Sequence, residues 1–309
     1  MKFLERAFDQ QNQGWKYLIV FLAAFYGGLI LGSIPLTSVI MYKVITSGEH
    51  YSLNLDNMTD FTGFGISKNL ALFLSMFVFV VILIIAILLI KVFHKRSFAE
   101  TVNGTQKVRI KRCFTGAAVW GILMAIYLLI SYFTDPGNFH LQFNLSAFIP
   151  LFLISILLIP VQTTSEEFLF RGYITQGVAG LTKNRWLAIL IPALLFGLVH
   201  SFNPEIKEFG FWITMPQYVF FGLLFGLISV LDDGIELAIG MHAANNVFLS
   251  LFATHSASAL QTDAVFEQFK IDPVNDLISL IIMGIITFAF FAWKYKWNFK
   301  ILNQKIINV

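Results

Sequence analysis

The chain has 309 residues, of which 57% are hydrophobic and 13% charged, with a formal net charge of +3. Soluble domains carry about 25% charged residues, so the composition excludes an ordinary soluble domain and favours a single membrane-embedded unit over residues 1–309. The small positive charge gives no reason to expect a nucleic-acid partner. The single cysteine, Cys113, excludes an internal disulfide and a thiolate cluster.

Eight apolar windows have about the length that a helix needs to cross a bilayer, roughly 20 residues. In chain order they are 16–42, 69–93, 113–134, 145–165, 186–202, 210–231, 235–254 and 275–296. Windows of this length predict helices and not the strands of a membrane barrel. The predicted fold is therefore all-α, a polytopic bundle of about eight transmembrane helices. The fifth and seventh windows are short or polar and give the weakest signals.

The distribution of lysine and arginine predicts the orientation of the bundle. These residues concentrate at the N-terminus, between the second and third windows, and at the C-terminus, whereas 135–140 has none and 255–274 has only Lys270. With eight crossings, the three basic segments lie on one side of the membrane. The positive-inside rule then predicts that both termini are cytoplasmic.

The stretch TTSEEFLFRGY, residues 163–173, places three charges at the end of an apolar helix. Glu167 and Arg171 are four residues apart, so they share a helix face and are expected to pair. Glu166 is rotated by about 100° from Glu167 and is left as the surplus carboxylate, which is a suitable general base. An ordinary ion pair at the headgroup level is the alternative interpretation.

Two further apolar helices carry polar groups. His200 ends the run LLFGLVH, and an interfacial histidine bonded to a backbone carbonyl is its alternative role. His242 and Asn246 are four residues apart in HAANN, so they share one face, while Asn245 points elsewhere. A polar clamp between helices is the alternative for this pair.

Taken together, the three clusters fit hydrolysis better than separate structural roles. A glutamate and a histidine could hold and deprotonate a water, while a second histidine and an asparagine donate to an oxyanion. The same set could instead hold one divalent ion such as zinc through Glu166, His200 and His242. The sequence has no HExxH and no GxSxG motif, and it leaves the cofactor open.

The three clusters also resemble a known family. EEFLFR fits EExxxR, FGLVH fits FxxxH and HAANN fits HxxxN, in that order and on separate apolar helices. These are the motifs of the CPBP intramembrane proteases, which include CAAX prenyl endopeptidases and bacterial Abi-type proteins. The motif-bearing core covers about 145–255, a third of the chain.

The resemblance implies roles for these residues. Glu166 would activate water together with His200, and His242 with Asn246 would stabilise the oxyanion. Glu167 and Arg171 would orient Glu166 and brace the helices, with Glu167 as a possible second participant.

The resemblance also implies a CAAX-protease-like endopeptidase, of a family many of whose members are classed as metalloproteases, with its cavity open toward the cytoplasm. The partners would be the lipid bilayer and a peptide or protein substrate, prenylated or otherwise membrane-bound, in the cell membrane of a bacterium. A non-proteolytic scaffold or a bacteriocin-immunity protein of the same fold is the alternative. A transporter is disfavoured because the two halves show no repeat.

Overall fold

The computed structural model describes residues 2–9, 11–47 and 59–307. Its helices are α1 (Gly14–Gly32), α2 (Ile34–Ser47), α3 (Lys68–His94), α4 (Phe98–Asn103), α5 (Ile110–Thr134), α6 (Leu145–Glu167), α7 (Thr175–Thr182), α8 (Arg185–Val199), α9 (Pro204–Phe209), α10 (Phe211–Leu231), α11 (Glu236–Phe252) and α12 (Pro273–Tyr295). A π-helical segment, Phe168–Ile174, joins α6 to α7. The predicted helical architecture is confirmed.

A small sheet, which the all-α prediction missed, lies at one end of the bundle. Its strands are β1 (Phe139–Leu141), β2 (Ala253–Thr254) and β3 (Phe266–Gln268), in the order β1-β3-β2. β1 pairs antiparallel with β3, and β2 pairs parallel with it. Strands this short leave too little alternation in the sequence to be distinguished from loops.

Within the described ranges, six helical stretches are long and apolar enough to cross a membrane. They are Gly14–Thr46, α3, α5, Leu145–Thr182, α10 and α12. Each of the eight predicted windows falls on a helix, but the count of eight crossings is not confirmed. α8 has only 15 residues, and the 17-residue α11 is more polar because it carries the HxxxN group.

Both chain termini lie at the same end of the bundle, which we call the terminal end. The Lys2 backbone N–H donates to Asp233, and the Ile306 N–H donates to the Lys183 carbonyl. The opposite end, which we call the sheet end, holds β1–β3 and the loops around them. The shared end agrees with the predicted topology, while its cytoplasmic location stays a prediction.

Close helix contact positions α11 against α5. A Cβ on Gly240 would overlap the Cys113 carbonyl, and a Cβ on Gly116 would overlap the Leu237 carbonyl. Small residues let the two backbones approach, as is usual between helices in membranes. This contact fixes the helix that carries His242 and Asn246.

Candidate active site

The second glutamate of the EE pair is a buried ion-pair partner. Glu167 has no exposed surface, and its Oε1 accepts a hydrogen bond of 2.8 Å from Arg171 Nη1. The Arg171 guanidinium is buried as well and lies 3.9 Å from the Phe196 ring centroid. The pairing predicted from helical spacing is therefore present, although Arg171 lies in the π-helical segment. π-Helical turns occur frequently at functional sites.

His242 lies between the two glutamates. Its Nδ1 is 2.7 Å from Glu167 Oε1, and its Nε2 is 3.6 Å from Glu166 Oε2. Because an ionised carboxylate only accepts hydrogen bonds, Nδ1 carries the proton that is donated to Glu167. Glu167 therefore fixes the orientation of the ring and directs Nε2 toward Glu166.

Gln162 connects Glu166 to Asn246. The Gln162 Nε2 donates to Glu166 Oε1 at 2.8 Å, and the Gln162 Oε1 accepts from Asn246 Nδ2 at 3.1 Å. Sequence reasoning missed this residue. The available signal was its position one helical turn before Glu166 on an otherwise apolar helix.

A second asparagine holds Asn246 from the other side. Asn245 Nδ2 donates to Asn246 Oδ1 at 3.1 Å, and Asn245 Oδ1 accepts from Trp120 Nε1 at 3.1 Å. The asparagine that the spacing directs elsewhere therefore links its neighbour to α5. Asn246 keeps one Nδ2–H that is not used by Gln162, since an amide group has two donors.

His200 comes from the end of α8. Its Nδ1 lies 2.6 Å from the Phe196 carbonyl oxygen, which is the backbone bond that the alternative interpretation predicts. The ring also stacks on Tyr218, with centroids 4.5 Å apart. Because Nδ1 donates its hydrogen to the carbonyl, Nε2 of the neutral ring carries the lone pair that can accept a hydrogen bond or a proton.

A cavity of about 570 Å³ brings these side chains together. Glu166, His200, His242 and Asn246 all contribute to its wall, together with Gln162 and Tyr218. This is the usual size of a pocket for a small ligand or a short peptide segment. The four residues predicted as catalytic thus face one common space.

A second, small cavity of about 40 Å³ also lies against Glu166 and His200. Ser165 is the third polar residue in the wall of this small cavity. A water needs roughly 10–15 Å³ of such space and two or more polar partners. Space for a water therefore exists beside both Glu166 and His200.

The large cavity extends toward the sheet end. Its wall includes Thr59, Asn203, Gln261, Gln268 and Pro273, all from the loops, strand β3 and helix starts of that end. None of the described residues of its wall comes from the connections at the terminal end. The cavity thus extends toward the end opposite the termini, while the cytoplasmic termini and the cytoplasmic opening expected from the sequence stay predictions.

Glu205 on α9 is a cavity carboxylate that sequence reasoning missed. Its Oε1 accepts from the Ala259 backbone N–H at 2.8 Å, and its Oε2 accepts from the Tyr218 hydroxyl at 3.4 Å. Burial raises the pKa of this carboxyl group above its ordinary value. A lone acid in a loop after the FxxxH motif gives no signal of its own.

The predicted metal ligands do not form a ligand group here. Among the described residues, no three His, Cys, Asp or Glu side chains are arranged to hold a metal ion. The Nδ1 atoms of His200 and His242 are already bonded to Phe196 and Glu167. These bonds leave the Nε2 atoms available, as they are in histidines that bind metals; what does not fit a bound zinc is that no third ligand converges with them among the described residues.

Comparison with known proteins agrees with the motifs. Residues 145–248 match the family model described as type II CAAX prenyl endopeptidase Rce1-like, which confirms the resemblance drawn above. The uncharacterized protein YyaK of Bacillus subtilis is 29% identical over 294 residues, which are 94% of this chain and 95% of that protein. No solved structure matches the chain. The apolar helices and the family match together indicate an integral membrane protein whose residues 145–248 are similar to CAAX-type peptidases.

Proposed function

We propose that this chain, which is similar to type II CAAX prenyl endopeptidases over residues 145–248, is an intramembrane endopeptidase. It hydrolyses a peptide bond of a membrane-associated or lipidated substrate. One observation carries the proposal: Glu166, His200, His242 and Asn246, from three separate helical regions, face one cavity of about 570 Å³. Structural polar contacts between helices do not require a shared space of that size.

Glu166 is the general base in this proposal. Its Oε1 is held by Gln162, while its Oε2 accepts no hydrogen bond from the described part of the chain. That oxygen can accept the hydrogen bond of a water, and His200 Nε2 can hold the same water from a second side. General bases of this type contribute about 10²–10⁴-fold to rates.

His242 and Asn246 stabilise the oxyanion. Asn246 has an Nδ2–H that is free for a substrate oxygen, and His242 donates through Nε2 when its ring carries two protons.

The reaction proceeds in two steps. The water oxygen attacks the carbonyl carbon as Glu166 takes one water proton, and the carbonyl oxygen becomes the oxyanion bound by His242 and Asn246. The C–N bond then breaks, the carbonyl reforms as part of a carboxylic acid, and Glu166 returns its proton to the leaving amine. The net change is the addition of one water across the peptide bond.

The test is a pair of matched variants in purified full-length protein. Glu166→Gln keeps the size of the side chain and removes the base, so we expect kcat to fall by about 10²–10⁴-fold on membrane-peptide libraries. Glu208→Gln makes the same change at an exposed position of α9 and leaves kcat unchanged. Full activity in a folded Glu166→Gln protein would refute the assignment of Glu166 as the base.

A further inference from the structure

His200 needs support from outside its own helix because it lies where α8 ends. It is the C-cap residue of that helix, with φ −89° and ψ 1°. The bond between its Nδ1 and the Phe196 carbonyl fixes one atom of the ring. The χ2 torsion of histidine is broad, so one hydrogen bond does not by itself fix the plane of the ring. The direction of Nε2, which holds the water in the proposed reaction, therefore depends on what packs against the imidazole.

Two aromatic rings pack against the imidazole. The Phe196 ring centroid lies 4.5 Å from that of His200 at an interplanar angle of 48°, and the Tyr218 centroid lies at the same distance at 23°. These are separations of stacked aromatic pairs, which span about 4.5–7 Å. Phe196 belongs to the same helix as His200, whereas Tyr218 comes from α10. The Tyr218 ring is thus the aromatic contact by which a separate helix sets the plane of His200.

The Tyr218 hydroxyl is held by two residues of the segment that follows His200. It accepts from Asn203 Nδ2 at 2.9 Å and donates to Glu205 Oε2 over a longer 3.4 Å. Asn203 is itself joined to His200, because its backbone N–H donates to the His200 carbonyl at 3.0 Å. Glu205 Oε1 accepts from the Ala259 backbone N–H at 2.8 Å. The ring and the hydroxyl of Tyr218 therefore both contact the turn that carries His200.

We propose that Tyr218 is a positioning residue for His200 and that Asn203 and Glu205 hold its ring in place. It acts through His200 and not on the substrate, since its hydroxyl is engaged by these two partners. Its effect on the reaction rests on the proposed function, whereas its effect on the His200 ring rests on the fold alone. A misplacement of about 1 Å can cost about 10²-fold in rate, so a supporting ring can have a large effect.

Two substitutions at Tyr218 in purified full-length protein separate the ring from the hydroxyl. Tyr218→Phe keeps the stacked ring and removes both hydrogen bonds, so we expect kcat to fall by about 2–10-fold, the factor that one hydrogen bond represents. Tyr218→Leu removes the ring as well and should lower kcat by about 10–100-fold. A kcat of Tyr218→Leu equal to that of the parent protein or of Tyr218→Phe would overturn the role of the ring.

Substitutions of its two partners test how the Tyr218 hydroxyl is held. Because Asn203 donates to that hydroxyl, the double variant Asn203→Ala, Tyr218→Phe should lose no more kcat than Tyr218→Phe alone. Glu205→Leu should lower kcat by about 2–10-fold, whereas Glu208→Leu, the same change at an exposed position of α9, should leave it unchanged. Strictly additive losses in the double variant, or equal kcat in Glu205→Leu and Glu208→Leu, would contradict this anchoring.

The ring nitrogens of His200 test the positioning without requiring activity. Protein carrying isotope-labelled histidine is measured by NMR in detergent at about pH 8, where an ordinary histidine is neutral. The His200 signals are those missing from His200→Asn. The bond to the Phe196 carbonyl predicts a proton on Nδ1.

Tyr218→Phe should keep this single tautomer of His200. Tyr218→Leu should show a mixture of both tautomers, because a ring that leaves the carbonyl can carry its proton on either nitrogen. An unchanged single tautomer in Tyr218→Leu would overturn the positioning role. If Tyr218→Leu does not fold, Tyr218→Met takes its place, since the flexible methionine side chain fills irregular gaps.

The inference and the proposed function fail in different ways. If Glu166→Gln keeps full activity while the His200 tautomer changes in Tyr218→Leu, the proposed function fails and the positioning of the His200 ring stands. If Glu166→Gln abolishes cleavage while Tyr218→Leu alters neither kcat nor the tautomer, the proposed function stands and the inference is wrong.

Discussion

His242 Nδ1 lies 2.7 Å from Glu167 Oε1, and this contact links the EExxxR helix to the HxxxN helix inside the protein. The same carboxylate oxygen accepts from Arg171. Glu167 thus has two roles that can be separated: it compensates a buried guanidinium, and it orients the imidazole whose Nε2 faces Glu166.

The first prediction separates those two roles. Glu167→Leu leaves the buried Arg171 guanidinium without its carboxylate, so we expect the unfolding free energy in detergent to fall by about 3–5 kcal/mol. The double variant Glu167→Leu, Arg171→Met removes both charges and should recover most of that loss, because a packed apolar pair substitutes well for a buried ion pair. Thermal and denaturant unfolding measure both effects.

Activity should not recover with stability. In both variants His242 loses the acceptor for its Nδ1 proton, so kcat is expected to stay about 10²-fold or more below that of the parent protein. KM should change little because Glu167 is buried and does not reach the substrate. Recovery of kcat in the double variant would show that Glu167 acts only through stability.

The second prediction concerns Gln162, which holds Glu166 and Asn246 at the same time. Gln162→Leu removes both hydrogen bonds, and a hydrogen bond to a charged group contributes about 1.5–3 kcal/mol. We therefore expect kcat to fall by about 10–100-fold. The measurement is steady-state kinetics on purified protein, with circular dichroism to confirm the fold.

A double-mutant cycle shows whether Gln162 acts through Asn246. If it does, the loss of kcat in the double variant Gln162→Leu, Asn246→Ala, expressed as a free energy, should be smaller than the sum of the losses in the two single variants. Strict additivity of the two losses would mean that Gln162 works through Glu166 alone. The interaction energy of contacting residues is about 0.5–3 kcal/mol, which such a cycle resolves.

The third prediction concerns the contact between α5 and α11. Gly240→Ala forces a methyl group against the Cys113 carbonyl, so we expect a loss of about 1–3 kcal/mol in stability and a displaced His242. Gly121→Ala is the matched control, because its Cβ would meet only the Ala244 Cβ at 4.0 Å. Alanine has the higher helix propensity, so the control should be neutral or slightly stabilising. Equal stability of the two variants would contradict the close helix contact.

The fourth prediction concerns His255, which follows β2 outside the apolar helices. Burial lowers the pKa of its ring from 6.5 to about 4. Between these values the unfolded chain binds a proton that the folded protein does not, so stability falls as the pH falls from 6.5 toward 4. The total loss is up to about 3 kcal/mol, and the loss stops below pH 4.

Unfolding curves at several pH values test this dependence. His255→Asn should reduce the slope between pH 6.5 and 4, whereas His140→Asn, the same change at an exposed histidine of the sheet end, should leave it in place. An unaltered slope in His255→Asn would mean that another group accounts for the acid sensitivity.

The sequence predicted which residues share the candidate site more completely than it predicted the architecture. The four-residue spacing of Glu167 and Arg171 was sufficient to pair them, because both lie on one continuous helical stretch. Polar side chains at membrane depth face the protein interior. Their presence on three apolar helices was therefore sufficient to predict that Glu166, His200, His242 and Asn246 line one cavity. Gln162 was missed although Glu166 lies one helical turn away, because its second partner, Asn246, is 84 residues distant. Glu205 was missed because its backbone partner at Ala259 is 54 residues distant.

By itself, the sequence determined a membrane-embedded helical protein, the positions of its helices and four polar residues that share one cavity. These follow from local properties, namely apolar length, helical spacing and the cost of charge in lipid. Only the tertiary structure decided that His242 bridges both glutamates, that Gln162 joins two of the motifs, and that the cavity reaches the end opposite the termini. Each depends on which helix faces meet, and no local pattern in the chain specifies that.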